Sequence, residues 1–136
     1  MSRIWHLCWI FFALAFAVSA KAQDVDCNNP RAQIEMTYCA ELDWQEADAE
    51  LNAAYKAAMS SMKEIDANLP KDLRGAAGFL QDAQRSWIPF RDNACASYGF
   101  LARGGSMEPM LIYSCWAELT RKRTAELNEL AQGLGN

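Results

Sequence analysis

The first 22 residues set the chemistry open to everything that follows them. Arg3 gives a positive start, and Ile4 to Val18 is a run of apolar side chains broken only by His6. Ser19-Ala20-Lys21-Ala22 then places small residues at the two pocket-filling positions before Gln23. That succession has the form of a secretory signal peptide cleaved after Ala22. The apolar run is 15 residues long, short of the roughly 20 a helix needs to cross a bilayer, so no stable membrane anchor is expected. A lipid anchor fits no better. Cys8 lies inside the apolar run, and Cys27 lies past the cleavage point behind acidic residues.

Cleavage there leaves residues 23–136, one domain by length. It removes His6, the only histidine, and leaves Cys27, Cys39, Cys95 and Cys115 in an oxidising compartment. Four cysteines in that setting are expected to form a disulfide framework. Eleven basic residues then face 17 acidic ones, a net charge of −6. Such a chain repels nucleic acid and anionic lipid and favours a cationic partner.

These subtractions exclude much chemistry. Without histidine there is no Ser-His-Asp or Cys-His nucleophilic site and no imidazole metal ligand. The cysteines form no Cys-x-x-Cys pair for thiol exchange or haem attachment. Gly104-Gly105-Ser106 lacks the pattern a phosphate-cradling loop needs. No catalytic residue, metal site or cofactor is therefore expected. Carboxylates are plentiful, but none stands in a recognisable catalytic pairing.

Helical spacing dominates the domain. Asn29 is a candidate N-cap and Pro30 a candidate first helical residue. Ile34, Tyr38 and Leu42, then Leu51, Tyr55, Ala58 and Met62, recur at three- and four-residue steps. The helix predicted to about Met62 would be nearly 50 Å long, so it should project or bend. Asp66 to Pro70 reads as a turn. A second helix follows from about Lys71 to Tyr98, with the stripe Leu73, Ala76, Leu80, Ala83, Trp87, Phe90 and Ala94. Gly75 and Gly78 weaken its start by roughly 1 kcal/mol each, Pro89 should kink it, and Gly99 should stop it. Ser106 can cap a third helix beginning near Met107, with Leu111, Cys115, Leu119, Leu127 and Leu130 inward and Gly133 near its end. The expected fold is an all-α, disulfide-stapled three-helix bundle, up-down-up, with a long first helix.

Depth in such a bundle ranks the cysteine pairings. Cys39 lies about nine residues into helix one and Cys115 about eight into helix three, both about 12 Å from the same end. Cys27 and Cys95 lie near the lip. Matching by depth favours Cys39–Cys115 with Cys27–Cys95. A Cys95–Cys115 bond, closing the connecting loop, is the main rival.

One long stretch of sequence is similar to a known family. Cys27, Glu35-Met36-Thr37-Tyr38-Cys39-Ala40 and Asp48-Ala49-Glu50-Leu51-Asn52-Ala53-Ala54-Tyr55 resemble the first half of the LprI-like lysozyme-inhibitor domain, a small secreted bacterial domain. Its second half is matched by Ala83-Gln84-Arg85-Ser86-Trp87-Ile88-Pro89-Phe90-Arg91-Asp92-Asn93-Ala94-Cys95. Gly104-Gly105-Ser106, Cys115 and Leu119-Thr120-x-x-Arg123 complete the pattern. The likeness covers nearly all of residues 23–136. Pro89 is a departure, standing where the family carries an ordinary helix former. The resemblance implies a periplasmic or exported protein that binds lysozyme and blocks its hydrolysis of peptidoglycan.

Asp48, Asn52, Tyr55, Gln84, Trp87, Arg91, Asp92 and Arg123 carry most of this motif. Antiparallel pairing of helices one and two, with helix three parallel to the first, brings Asp48, Gln84 and Arg123 to one level. A hydrogen-bonded structural network is the expected use of that level, since such pairs favour specificity more reliably than stability. Trp87 belongs to the core. The loop between helices two and three is the better partner-binding candidate, with Phe100, Leu101, Arg103, Gly104, Gly105 and Ser106 beside the clustered cysteines. Apolar side chains in a loop either pack back or meet a partner. The expectation is that this loop enters the lysozyme cleft, whose working groups are two carboxylates. Arg103 would pair with a carboxylate, Ser106 would hydrogen-bond it, and the acidic surface would steer the basic enzyme inward. The alternative is a periplasmic protein-interaction or immunity module against another basic, cell-wall-targeting hydrolase. An enzyme would need two carboxyl groups roughly 5–10 Å apart in a cleft.

Overall fold

A computed structural model of the chain describes residues 25–134; the proposed signal peptide, residues 1–22, lies outside them. The described residues form three helices and two short 3-10 turns: α1 (Gln33–Asn68), η1 (Lys71–Leu73), α2 (Ala76–Gly99), η2 (Phe100–Ala102) and α3 (Glu108–Gln132). No strand occurs among them. The all-α, disulfide-bonded fold expected from helical spacing is the fold observed. None of the described helices is long and apolar enough to cross a membrane.

At 36 residues, α1 is about 54 Å long, well beyond its two neighbours. It starts three residues later than the Asn29-Pro30 signal implied. Asn29 turns back on Asp26 instead, its N–H donating to that carbonyl at 3.0 Å. Glu35 closes the first turn of α1 by accepting the N–H groups of Arg31 (2.6 Å) and Ala32 (3.3 Å), an arrangement that its place in the first turn favours. Its far end also runs past the expected Met62 to Asn68. Asp66 therefore sits inside the last turn of α1, and its carboxylate accepts the N–H groups of Gly75 (2.8 Å), Ala76 (2.9 Å) and Ala77 (3.0 Å). Those are the orphan donors at the start of α2. The end of one helix thus caps the start of the next, and the three N–H donors hold the Asp66 carboxyl below the usual aspartate range. A depressed carboxylate contributes stability above its unfolded pKa of ~3.9, and that contribution is lost as pH falls through the lower folded value.

α1 packs most extensively on α3, and α2 lies more lightly against both. Small residues make the α1–α3 approach possible: Ala47, Ala54 and Ala58 are buried on one side and Ala117 and Thr120 on the other. Leu51, Met62, Leu80 and Leu127 fill the space between. The expected inward stripes hold in part. Leu51, Ala58 and Met62 are buried, whereas Ile34, Tyr38 and Leu42 are exposed. On α2, Leu80 is buried and Trp87 packs against the core, but Leu73, Ala83 and Phe90 face solvent. The inward line of α2 is instead Leu80, Gln84, Trp87, Arg91, Cys95 and Gly99. Hydropathy does not find it because two members are polar.

The bridges run Cys27–Cys39 and Cys95–Cys115, with Cα separations of 5.5 and 5.4 Å. This corrects the favoured Cys27–Cys95 and Cys39–Cys115 pairing and agrees with its rival for the second bond. Two local features spoil the depth argument. The turn at Asp26–Asn29 folds the leading segment back along α1, lowering Cys27 to the level of Cys39. Gly99 does not stop α2 either. Its φ of −58° is right-handed, and η2 carries the helical run on to Ala102. Cys95 is then seven residues before the end of that run, and Cys115 is seven residues after the start of α3. Gly99 serves close approach instead, because a Cβ there would fall 2.6 Å from Ile112 Cγ1. α2 continues unbroken through Pro89.

Each bridge closes a short loop, so each contributes about 3 kcal/mol in the chain-entropy model. Peptide mapping of the unreduced chain should recover fragments linking Cys27 to Cys39 and Cys95 to Cys115. The paired Cys95→Ser/Cys115→Ser variant should lose about 3 kcal/mol in urea unfolding. A fragment joining Cys39 to Cys115 would overturn the assignment.

Candidate functional site

The loop from η2 to α3 is braced from within. Glu108, in the first turn of α3, reaches back with both carboxylate oxygens. Oε2 accepts the Gly104 N–H at 2.8 Å and Oε1 accepts Nη1 of Arg103 at 2.5 Å. The Arg103 guanidinium also lies 4.5 Å above the Phe100 ring, a cation–π contact. Gly104 takes φ +77°, a left-handed turn that glycine adopts without strain. Gly105 donates to the Ala102 carbonyl at 2.9 Å. The loop is therefore held in one shape while its apolar side chains stay outside. Phe100 is 61% exposed and Leu101 75%. Tyr98 and Met107 add to the exposed apolar surface around them.

Two expectations for this loop change. Ser106 is exposed and does not cap α3; the N-cap position is Met107, with no side-chain cap. Arg103 is not a free cation, because Glu108 already engages it. The Gly104 N–H, followed by Arg103, holds the Glu108 carboxyl below the usual glutamate range.

The motif residues lie elsewhere, along a groove between α1 and α2 of about 300 Å³. Asp48, Asn52 and Tyr55 line it from α1, and Gln84 and Arg91 line it from α2. Arg123 reaches Gln84 from α3, its Nε donating to Oε1 at 3.1 Å. Asp48 does not meet that pair. It accepts from Asn52 Nδ2 at 3.0 Å and faces Arg91 Nη1 at 3.7 Å. Arg91 is nine-tenths buried. Its Nε and Nη2 both donate to Asp92 Oδ1, at 2.9 and 2.8 Å. Its guanidinium also lies 5.2 Å from the Trp87 ring and 5.7 Å from the Trp116 ring. Asp48 and Asp92 thus share one guanidinium.

Several structural residues escaped the sequence reading. Trp44, Tyr113 and Trp116 form an aromatic cluster between α1 and α3, with ring centroids 5.0 to 5.9 Å apart. Arg121 ties the same two helices through Asp43, donating to its two carboxylate oxygens at 3.0 and 2.5 Å. An Asp or Glu three to ten residues from a turn is a weak signal for the roles of Asp66 and Glu108. Only the observed chain path singles them out. No cluster of potential metal ligands occurs among the described residues.

The family model described as lysozyme inhibitor LprI matches residues 27–127, most of the chain. An uncharacterised protein of Rhizobium meliloti (strain 1021) is 46% identical over 121 residues, covering 87% of each chain. No solved structure matches.

The Glu108 brace has a measurable sign. Its carboxyl should titrate below the ordinary ~4.3 of glutamate, so loop order persists above that range and is lost as pH falls through the lowered value. In an NMR titration the Glu108 side chain and the Gly104 amide should share one low midpoint. A Glu108 midpoint at or above the ordinary value would remove the brace.

Proposed function

The chain belongs to the family of lysozyme inhibitor LprI, and we propose on that footing that it is an exported protein that binds a lysozyme and occludes its cleft without chemistry of its own. The family is one of inhibitors, and the two bridges suit the oxidising compartment outside the cytosol. In this reading residues 1–22 are removed as a signal peptide and residues 23–136 act in the periplasm or beyond it.

The observation that carries the proposal is the braced loop. Binding costs least when the contacting side chains are already ordered. Phe100, Leu101 and Arg103 are held by the Glu108 hydrogen bonds and by the Cys95–Cys115 bridge, which joins the two helices that enter and leave the loop. Exposed apolar side chains around one cation suit a cleft that contains both sugar-binding surface and carboxylates. Glu108 engages only Nη1 of Arg103 among the described residues, so other guanidinium donors remain for a partner. The net charge of −6 outside the signal peptide steers a basic enzyme toward the chain and speeds association.

The test is a lysozyme clearing assay with the oxidised chain. Replacing Arg103 and Ser106 by alanine, with circular dichroism unchanged, should weaken inhibition at least tenfold, and Phe100→Ala should do the same. Rising salt should slow association, since charges beyond roughly 8–10 Å are screened at physiological ionic strength. Full inhibition by the Arg103→Ala/Ser106→Ala variant would exclude this loop. Absence of inhibition toward every lysozyme type, with capture of a different wall hydrolase, would favour an immunity role.

A further inference from the structure

The groove between α1 and α2 is more polar than helix packing requires. Two helices meeting only to bury surface would fill such a space with apolar side chains. Here Asp48, Gln84 and Arg91 are each held by a partner, and each still presents a polar atom to the groove. Arg91 spends Nε and Nη2 on Asp92, while Nη1 stands 3.7 Å from Asp48, beyond hydrogen-bonding distance. Gln84 gives Oε1 to Arg123 and leaves its amide nitrogen without a partner among the described residues. Asp48 gives Oδ2 to Asn52 and meets Arg91 with Oδ1 only at ion-pair distance. Gln81 and the Tyr55 ring complete the polar lining, and Leu51 and Ile88 provide an apolar strip.

The charges select the occupant. A simple anion would face Asp48, and a simple cation would face Arg91 and Arg85, all on the same groove. A neutral ligand whose groups both donate and accept satisfies the whole set. Hydroxyl groups do this, and amide side chains pair well with an acetamido group. Sugar rings also carry an apolar face for a strip such as Leu51–Ile88. The volume is at the small end of ligand pockets, the scale of a single sugar residue. Fixed donors on a rigid wall are what small-ligand recognition needs.

We propose that this groove binds an N-acetylated sugar unit through Asp48, Asn52, Gln81, Gln84 and Arg91, giving the protein a saccharide site separate from the loop that contacts its partner. The site stands on its own geometry and does not require the loop reading.

The probe is the N-acetylglucosamine trimer, added to the 15N-labelled, oxidised chain. Saturable amide shifts should concentrate on residues 48–55 and 81–91 and leave 100–107 unmoved. Asn52 and Gln81 are exposed at the rim, so Asn52→Ala and Gln81→Ala should keep the folded spectrum, weaken the trimer at least tenfold and leave lysozyme inhibition unchanged. Gln81→Trp, which fills the groove, should abolish the shifts. No saturable response at tens of millimolar trimer would overturn the site, as would shifts centred on the loop. An equal response to acetate or to methylguanidinium would overturn the sugar assignment by marking an ion site.

Discussion

The structure depends on a covalent tie that holds its least apolar helix. α2 buries one leucine fully, Leu80, a contribution of about 2 kcal/mol, with Ala76, Ala77 and Trp87 partly packed beside it. Past that point its inward face is Gln84, Arg91 and Cys95. Desolvating a guanidinium and an amide returns little net stability even when they are paired. The Cys95–Cys115 bridge contributes about 3 kcal/mol by the loop-entropy argument, as much as the helix gains from its leucine. Asp66 holds the opposite end through three backbone N–H groups. Pinned at both ends, α2 can keep a polar middle.

This arrangement explains which parts were legible in the sequence. Helix number, order and connecting loops follow from periodicity and from where proline and glycine fall, because α1 and α3 bury ordinary apolar residues such as Leu51, Met62 and Leu127. The α2 stripe failed where apolar character and inwardness part company. Phe90 is more hydrophobic than Arg91, yet Phe90 is 62% exposed and Arg91 8%. An arginine can be inward when two tryptophan faces and two aspartates receive it, and those partners come from all three helices. The disulfides failed for a smaller reason. One extra 3-10 turn and one reversed leading segment each shift a cysteine by about a turn, enough to exchange partners. The loop itself was legible as a place, but not its brace, since nothing local marks Glu108 as the residue that holds Arg103.

The covalent ties also separate two surfaces of the bundle. Both bridges lie at the end of the bundle that carries the loop, where α1 extends and exposed Ile34, Tyr38 and Leu42 are also found. A rigid end with exposed apolar side chains suits contact with a large partner, because little order remains to be imposed on binding. The groove is further along, in the polar middle of α2, where the wall is fixed by ion pairs and amide hydrogen bonds. Apolar contact at one level and hydrogen-bonding capacity at another are a consequence of where α2 is stapled.

The same logic bears on a net acidic chain whose loop presents a cation. A free Arg103 would be mobile and hydrated, and a partner would have to order it. Tied to Glu108 and laid over Phe100, it keeps its direction, and the pair adds little net charge to the chain's long-range field. In the proposed complex, attraction of a basic partner would therefore come from the distributed carboxylates, which act at a distance and are screened by salt. Local recognition in that complex would come from the apolar tip and the remaining guanidinium donors, which act only at contact. On that reading, rate of encounter and strength of the final complex are set by different residues, so a mutation in one set need not disturb the other.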